Sequence, residues 1–374
     1  MKTIYLDNSA TTFPKPESVA AAVENYIRNI GANPGRGAYG ASLEAGRTAL
    51  KLRMAACRLF NFDRPDHVVI TPGATAGLNM VIKGLLKPGD HVIVTPMQHN
   101  SVMRPIRQLE KQGVAVDLLP FNDSFALHGL IKKETKLVVA CHGSNVSGSL
   151  EDIEAIGKIC KEKNIFFLVD AAQTAGHYPI DFKACNMSAL AMPGHKGLMG
   201  PQGIGLLLVD PKLAEQLDPL ICGGTGSASD LEEMPAFMPD KFEAGTLNVP
   251  GIFGLEASLR FMEEKGIKAI HAHIIELEER FRAGIAGISG VTAVGENFGC
   301  GVISLDFEGQ DNASVSSALE QDYGILTRCG LHCAPSAHKI LNTFPRGTVR
   351  FSLSYFNTQE DVDAAVSAVK EICG

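Results

Sequence analysis

The sequence predicts an α/β protein: a mainly parallel sheet flanked by helices, followed by a smaller α+β unit. Two patterns predict it. Short β-branched, apolar runs alternate with helical stretches up to about residue 250, which is how a chain builds parallel strands joined by crossover helices. Several runs are also apolar throughout, as strands buried on both faces are.

In chain order the strand runs are HVVITPG (67–73), HVIVTP (91–96), VAVDLLP (114–120), KLVVACHG (136–143), IFFLVDAAQ (165–173) and GIGLLLVD (203–210). Helical stretches fall between them, for example ATAGLNMVIKGLL (74–86) and SLEDIEAIGKICKEK (149–163). The Pro- and Gly-rich segment 235–251 joins or flanks the two units. Beyond it the pattern changes. Helices are expected over 251–265, 267–286, about 311–321 and 358–373, with two short strands within 291–309.

At 374 residues a main domain with a smaller second one is expected. Hydrophobic residues make up 45% and charged residues 20%, an ordinary globular balance. The net charge is −7 with no basic block, whereas a nucleic-acid surface would need clustered Lys and Arg. The first residues, MKTIYLDNSATTFPKP, lack an apolar core of signal-peptide length, and no segment approaches the roughly 18 apolar residues of a spanning helix. A cytoplasmic protein with neither nucleic-acid nor membrane partners is therefore expected. Nine scattered cysteines do not suggest a disulfide framework, and most read as buried apolar fillers.

In a parallel α/β sheet, ligands sit beyond the carboxyl ends of the strands, and the informative residues cluster there. TPGATAGLN (71–79) opens a helix with small residues, which suits a phosphate at free backbone N–H groups and equally suits an ordinary strand–helix turn. Asn145 stands on the turn SNVSG. Asp170 ends a buried run, where it needs a cationic or hydrogen-bonding partner; a pyridinium nitrogen and a helix cap both qualify. His195 and Lys196 follow in a Gly-rich loop before an apolar strand. A lysine there is either solvated or, in a desolvated site, a Schiff-base amine. Taken together, these are an anion site, a pyridinium partner, ring contacts and an amine, the set that pyridoxal phosphate requires.

The segment TRCGLHCAPSAHK (327–339) holds two cysteines and two histidines. Zinc on Cys329, His332, Cys333 and His338 fits no known zinc spacing, so no metal is expected. A permanent Cys329–Cys333 disulfide is not expected in the cytosol. Buried packing cysteines and a loop nucleophile remain as readings.

From YLDNSATT (5–12) through FEAGT (242–246) to VRFSLSYFNTQEDVD (349–363), the chain resembles the cysteine desulfurase and selenocysteine lyase branch of the class V aminotransferase-like, pyridoxal-phosphate-dependent enzymes. The resemblance implies a fold type I transferase with a large cofactor-binding domain over 15–254. A smaller domain over 255–374 would carry the catalytic cysteine loop and the substrate arginine, with residues 1–14 packing near it. Lys196 would carry the cofactor as a Schiff base, and Asp170 would pair with its pyridine nitrogen. His99 would stack on the ring, and the family often has Glu where this chain has Gln98. Gln173 and Asn145 would lie near the phenolic oxygen. Ala74, Thr75 and His195 would hold the phosphate, joined by Thr246 across a homodimer interface. Arg350 would clamp the substrate carboxylate, a geometry its fork suits. Asn33, Ala10 and Thr11 would border the substrate pocket.

Pro193 stands where the family commonly has a Ser or Thr for the phosphate, so fewer side-chain donors are expected there. The resemblance favours Cys333 as nucleophile, its thiolate gaining from Arg328, His332 and the cofactor, and leaves Cys329 as packing, with a resolving role open. Only 16 residues lie between Cys333 and Arg350, which resembles the group II type with a short, ordered loop; a dedicated acceptor or a small thiol would then take the sulfur. The implied reaction converts L-cysteine to L-alanine and leaves a persulfide on Cys333, with Lys196 as general base. The alternatives are selenocysteine lyase or cysteine C–S lyase chemistry with little need for Cys333, and a non-catalytic binding subunit.

Overall fold

The computed structural model describes residues 3–35, 37–296 and 298–374. After a two-residue strand, β1 (Ile4–Tyr5), come β2 (Val68–Thr71), β3 (His91–Val94), β4 (Ala115–Leu118), β5 (Thr135–Cys141), β6 (Phe166–Asp170), β7 (Ala189–Pro193) and β8 (Gly205–Val209). Five more follow: β9 (Val291–Ala293), β10 (Val302–Phe307), β11 (Ile325–Leu326), β12 (Arg328–Gly330) and β13 (Thr348–Ser352). β2 to β8 form one seven-stranded sheet in the order β2-β8-β7-β6-β5-β3-β4. It is parallel except at β8, which runs antiparallel to both its neighbours. This is the α/β architecture the alternating runs predict.

Apart from the edge strand β4, the strands of this sheet are buried on both faces, and their side chains divide by a period of two. Val138, Ala140, Phe167 and Val169 join the core on one face. Leu137, Val139, Leu168 and Ala191 join the core on the other. Helices lie against both. The final helix, Gln359–Cys373, begins with a capping box in which Thr358 and Asp361 satisfy each other's backbone N–H.

β7 is the strand that the run-by-run reading leaves inside a Gly-rich loop. Its sequence ALAMP has no β-branched residue and ends in proline. It becomes a strand because it is held between β6 and β8, with Pro193 at its end, where a missing N–H is tolerated.

The C-terminal elements form a four-stranded antiparallel sheet in the order β12-β13-β10-β9. The N-terminal strand β1 pairs in parallel with β11, and Asp7 bridges to Ser352. The helix Val249–Lys265 contains residues 254 and 255 and packs against the helices Glu17–Asn25 and Gly40–Phe60. No helix among the described residues is long and apolar enough to cross a membrane.

Candidate active site

The carboxyl ends of the parallel strands open onto a cavity of about 680 Å³. Five of the strands deliver groups to it. β2 leads through Gly73 into the helix Ala74–Leu85, whose first turn lines the wall. β3 leads to His99, β5 to Asn145, β6 to Asp170 and Gln173, and β7 to His195 and Lys196. The turn after Asp170 and the loop carrying Lys196 approach very closely. A Cβ at Gly176 would meet Gly197 O at 2.3 Å, and one at Gly197 would meet Ala175 O at 2.3 Å. Gly176 also has φ +86, so glycine is required there on two counts. That contact holds the loop carrying Lys196 against the turn that follows Asp170.

The charges in this cavity are unusually placed. Asp170 is 2% exposed; its Oδ1 accepts the Ala172 N–H at 2.9 Å, and Oδ2 has no partner among the described residues. Burial pushes its carboxyl above the usual range, against the pull of the Ala172 N–H and the Lys196 charge. Lys196 is pushed down to about 8, first by burial and then by the Arg350 charge. His195 is lowered to about 4 by burial and by Lys196, and its Nδ1 is buried without a partner.

His99 caps the helix Asn100–Glu110: its Nδ1 accepts the Ser101 N–H at 3.0 Å and lies 2.8 Å from Ser101 Oγ. That acceptor role puts the ring proton on Nε2. Burial, then the Lys196, Arg328, Arg104 and Arg350 charges, lower it to about 4, so the ring is neutral.

Pyridoxal phosphate fits this set on the structure's own terms. The helix N-terminus at Ala74 and Thr75 offers free N–H groups to a phosphate. Asp170 Oδ2 awaits a cationic partner, and Lys196 supplies a buried amine with a depressed pKa. The unpartnered Asn145 Oδ1 and His195 Nδ1 face polar work that the protein alone leaves undone.

Arg350 lies on β13, with its side chain 1% exposed. Nη2 contacts Asp7 Oδ1 at 2.7 Å, Nη1 donates to Asn145 O at 3.1 Å, and Nε is unpartnered. Asp7, which holds this guanidinium, lies within YLDNSATT, but nothing local distinguishes it in sequence.

Cys333 is exposed and lines a smaller neighbouring space with His99 rather than the large cavity itself. His332 and Cys333 have φ 48 and 58, two consecutive left-handed residues. Both carbonyls are pinned: Asn145 Nδ2 donates to His332 O at 2.6 Å, and Asn100 N–H donates to Cys333 O at 2.9 Å. Arg328 Nη2 lies 4.0 Å from Cys333 Sγ. The expected help from His332 is corrected. The ring is 3% exposed and bonded to Thr348 Oγ1 at 3.1 Å, and burial lowers its pKa, so it is a neutral strut beneath the loop and brings no charge to the thiolate. Cys329 sits on β12 and packs against the larger core.

Six of the predicted positions, Arg350 and Cys333 among them, do not line the large cavity in the single chain. Thr246 is exposed on the segment after Phe242. Thr11 Oγ1 donates to His195 O at 3.1 Å, Ala10 N–H donates to Asp7 O, and Asn33 O accepts from Ser42 Oγ at 2.9 Å. Conversely, Ser101, Cys141, Leu220 and Ile221 line the cavity, and local sequence does not point to them.

The fold and cavity together define a fold type I enzyme that uses pyridoxal phosphate. The chain belongs to the class-V aminotransferase family, whose model matches residues 4–365. It is 35% identical to a probable cysteine desulfurase of Methanothermobacter thermautotrophicus, over 99% of this chain and 95% of the relative. The apo structure of a cysteine desulfurase from Thermococcus onnurineus NA1 superposes with a TM-score of 0.92 at 32% identity, covering 99% of this chain and 94% of that one. For the cysteine desulfurase CsdA (S-sulfonic acid) from Escherichia coli the TM-score is 0.88 at 29% identity, with 99% and 94% covered.

Proposed function

We propose that this protein is a pyridoxal-phosphate-dependent cysteine desulfurase that converts L-cysteine to L-alanine and takes the sulfur onto Cys333. The observation that carries this reading is the placement of Cys333 beside His99, in a space adjoining the cavity lined by Lys196 and Asp170, with Arg350 bonded to the carbonyl of Asn145 in its wall. Bound pyridoxal phosphate withdraws electrons from the substrate's α-carbon and makes its sulfur electrophilic. Arg350 receives the substrate carboxylate, its fork already oriented by Asp7 and the Asn145 carbonyl. Lys196, held near 8 by burial, is neutral in a useful fraction at mildly alkaline pH, so Nζ takes the α-proton and returns it. Neutral His99 packs without adding charge and offers Nε2–H to the cavity. Cys333 Sγ attacks the substrate sulfur; an S–S bond forms as the carbon–sulfur bond breaks, and the carbon fragment takes up protons to become alanine.

The same reading includes a homodimer in which Thr246 joins the other chain's phosphate site. Its support is exposed apolar surface: Leu43, Leu50 and Met54 are 47%, 51% and 44% exposed on one face of the helix Gly40–Phe60, and Ile27 is 64% exposed beside an apolar groove of about 1100 Å³. It also includes two units, 15–254 and 255–374, supported by the separate seven- and four-stranded sheets. A cytoplasmic location is supported by nine free cysteines.

The deciding experiment is mass spectrometry after brief exposure of the holoenzyme to L-cysteine, with one added sulfur expected on the peptide containing Cys333. Cys333→Ala should lose alanine formation from cysteine. If that variant keeps full activity with cysteine and releases sulfide, the protein is a C–S lyase and Cys333 is not its acceptor. Activity retained with selenocysteine alone agrees with Cys333 serving only to take sulfur.

A further inference from the structure

Cys333 opens onto a space of about 300 Å³ that shares Thr75, Asn79, His99 and Ser101 with the cofactor cavity. Its outer wall adds Lys83, Arg104 and Gln108, and no Asp or Glu lines it. Arg328 reaches the Cys333 sulfur at 4.0 Å. Among the described residues, none of Lys83, Arg104 and Arg328 makes an ion pair. In a chain of net charge −7, two uncompensated cations lining the space and a third 4.0 Å from the sulfur favour an anion there. A volume of about 300 Å³ is of small-molecule size.

We propose that this outer pocket is the acceptor site of the sulfur transfer, and that its ligand is a small thiol bearing one or more carboxylates. The inference rests on the reading above, in which Cys333 carries the substrate's sulfur. The acceptor thiolate attacks the terminal sulfur of the Cys333 persulfide. A new S–S bond forms on the acceptor, the Cys333 Sγ–S bond breaks, and its electron pair stays on Sγ as thiolate. The proton on the terminal sulfur travels with it, and no oxidant or reductant is consumed. Cations serve this step twice. They hold the carboxylates, and they lower the cost of bringing an anionic thiolate towards a second sulfur that becomes an anion. The sulfur thus passes from the cofactor cavity to a space that adjoins it at Thr75, Asn79, His99 and Ser101, and the acceptor meets it there.

The test loads the holoenzyme with one equivalent of L-cysteine, then adds 2-mercaptoethanol, 3-mercaptopropionate or mercaptosuccinate and follows loss of sulfur from Cys333 by mass spectrometry. Each rate is normalised to the same thiol's attack on a small neutral disulfide, which removes intrinsic nucleophilicity. Mercaptosuccinate should exceed mercaptoethanol by about tenfold or more, with the advantage shrinking as salt is added. In Lys83→Glu/Arg104→Glu the preference should vanish, while alanine released in the first turnover is unchanged; Lys83→Gln/Arg104→Gln should give an intermediate preference. Equal normalised rates, or a double variant with the full preference, would overturn the inference. So would reaction confined to a thiol on an acidic peptide, which would point to a protein acceptor. If no sulfur loads onto Cys333, the desulfurase reading and this inference fall together at the first step; loading without preference overturns this inference alone.

Discussion

Lys196 shows how much of the chemistry a single environment sets. A lysine ordinarily titrates near 10.5, and here burial brings it to about 8. The free amine is the working form, so its fraction is small below pH 7 and grows as pH rises through 8. The rate of alanine formation from cysteine should rise over that interval and level off above it; a profile flat from pH 6 to 9 would remove Lys196 from the proton-transfer step. Lys196→Ala should abolish the yellow colour of covalently held cofactor and lower turnover by a factor of about 10² to 10⁴ or more, read by absorbance and an alanine assay. Asp170 works in the opposite sense. Its pKa is raised because burial outweighs one N–H and the Lys196 charge, and a cation at Oδ2 would restore its charge.

At the scale of elements, the cysteine loop is held by others rather than by itself. Its two left-handed residues cost of order 1 kcal/mol each, and the Asn145 and Asn100 hydrogen bonds keep them in place. Asn145→Ala leaves the His332 carbonyl without its donor, a loss of about 1–3 kcal/mol. Amide exchange over 331–334 should accelerate, and loading of sulfur onto Cys333 should slow. A second clamp secures the segment that carries Thr246. Glu243 accepts from Arg53 at 2.7 Å and from the Ile70 N–H at 2.6 Å, while Arg53 also donates to Val68 O. Because this pair is buried, removing one member strands the other's charge; Glu243→Ala should cost about 3–5 kcal/mol in denaturant unfolding.

At the scale of the molecule, His142 reports on acid stability. It is buried against Thr174 and lowered to about 3. The folded state resists its protonation while the unfolded chain takes the proton near 6.5. Stability should therefore be full above about 6.5 and decline as pH falls towards 3, seen as a falling thermal midpoint. A protein equally stable at pH 7 and 4.5 would contradict that. The homodimer has its own check. Native mass should be that of two chains, and Leu50→Asp, at the centre of the exposed helix face, should shift it to one while weakening cofactor retention.

What the sequence by itself determined is the part carried by local pattern. Apolar runs with flanking helices specify the α/β sheet, and in such a sheet the strand ends are where ligands meet; hence Asp170, Asn145, His195 and Lys196 were legible as a set, while each alone kept an ordinary reading. ALAMP was not legible as a strand, because its strand character comes from β6 and β8 on either side of it. Nor was the role of Asp7, whose partner Arg350 stands 343 residues away, or the neutrality of His332, which follows from burial and not from its neighbours in the chain. The outer pocket is the clearest case. Lys83, Arg104 and Cys333 come from separate segments, and the two cations alone read as ordinary surface residues. Only the tertiary structure brings Lys83 and Arg104 to the space that Cys333 lines, because charge interactions depend on distance through space and the chain records distance only along itself.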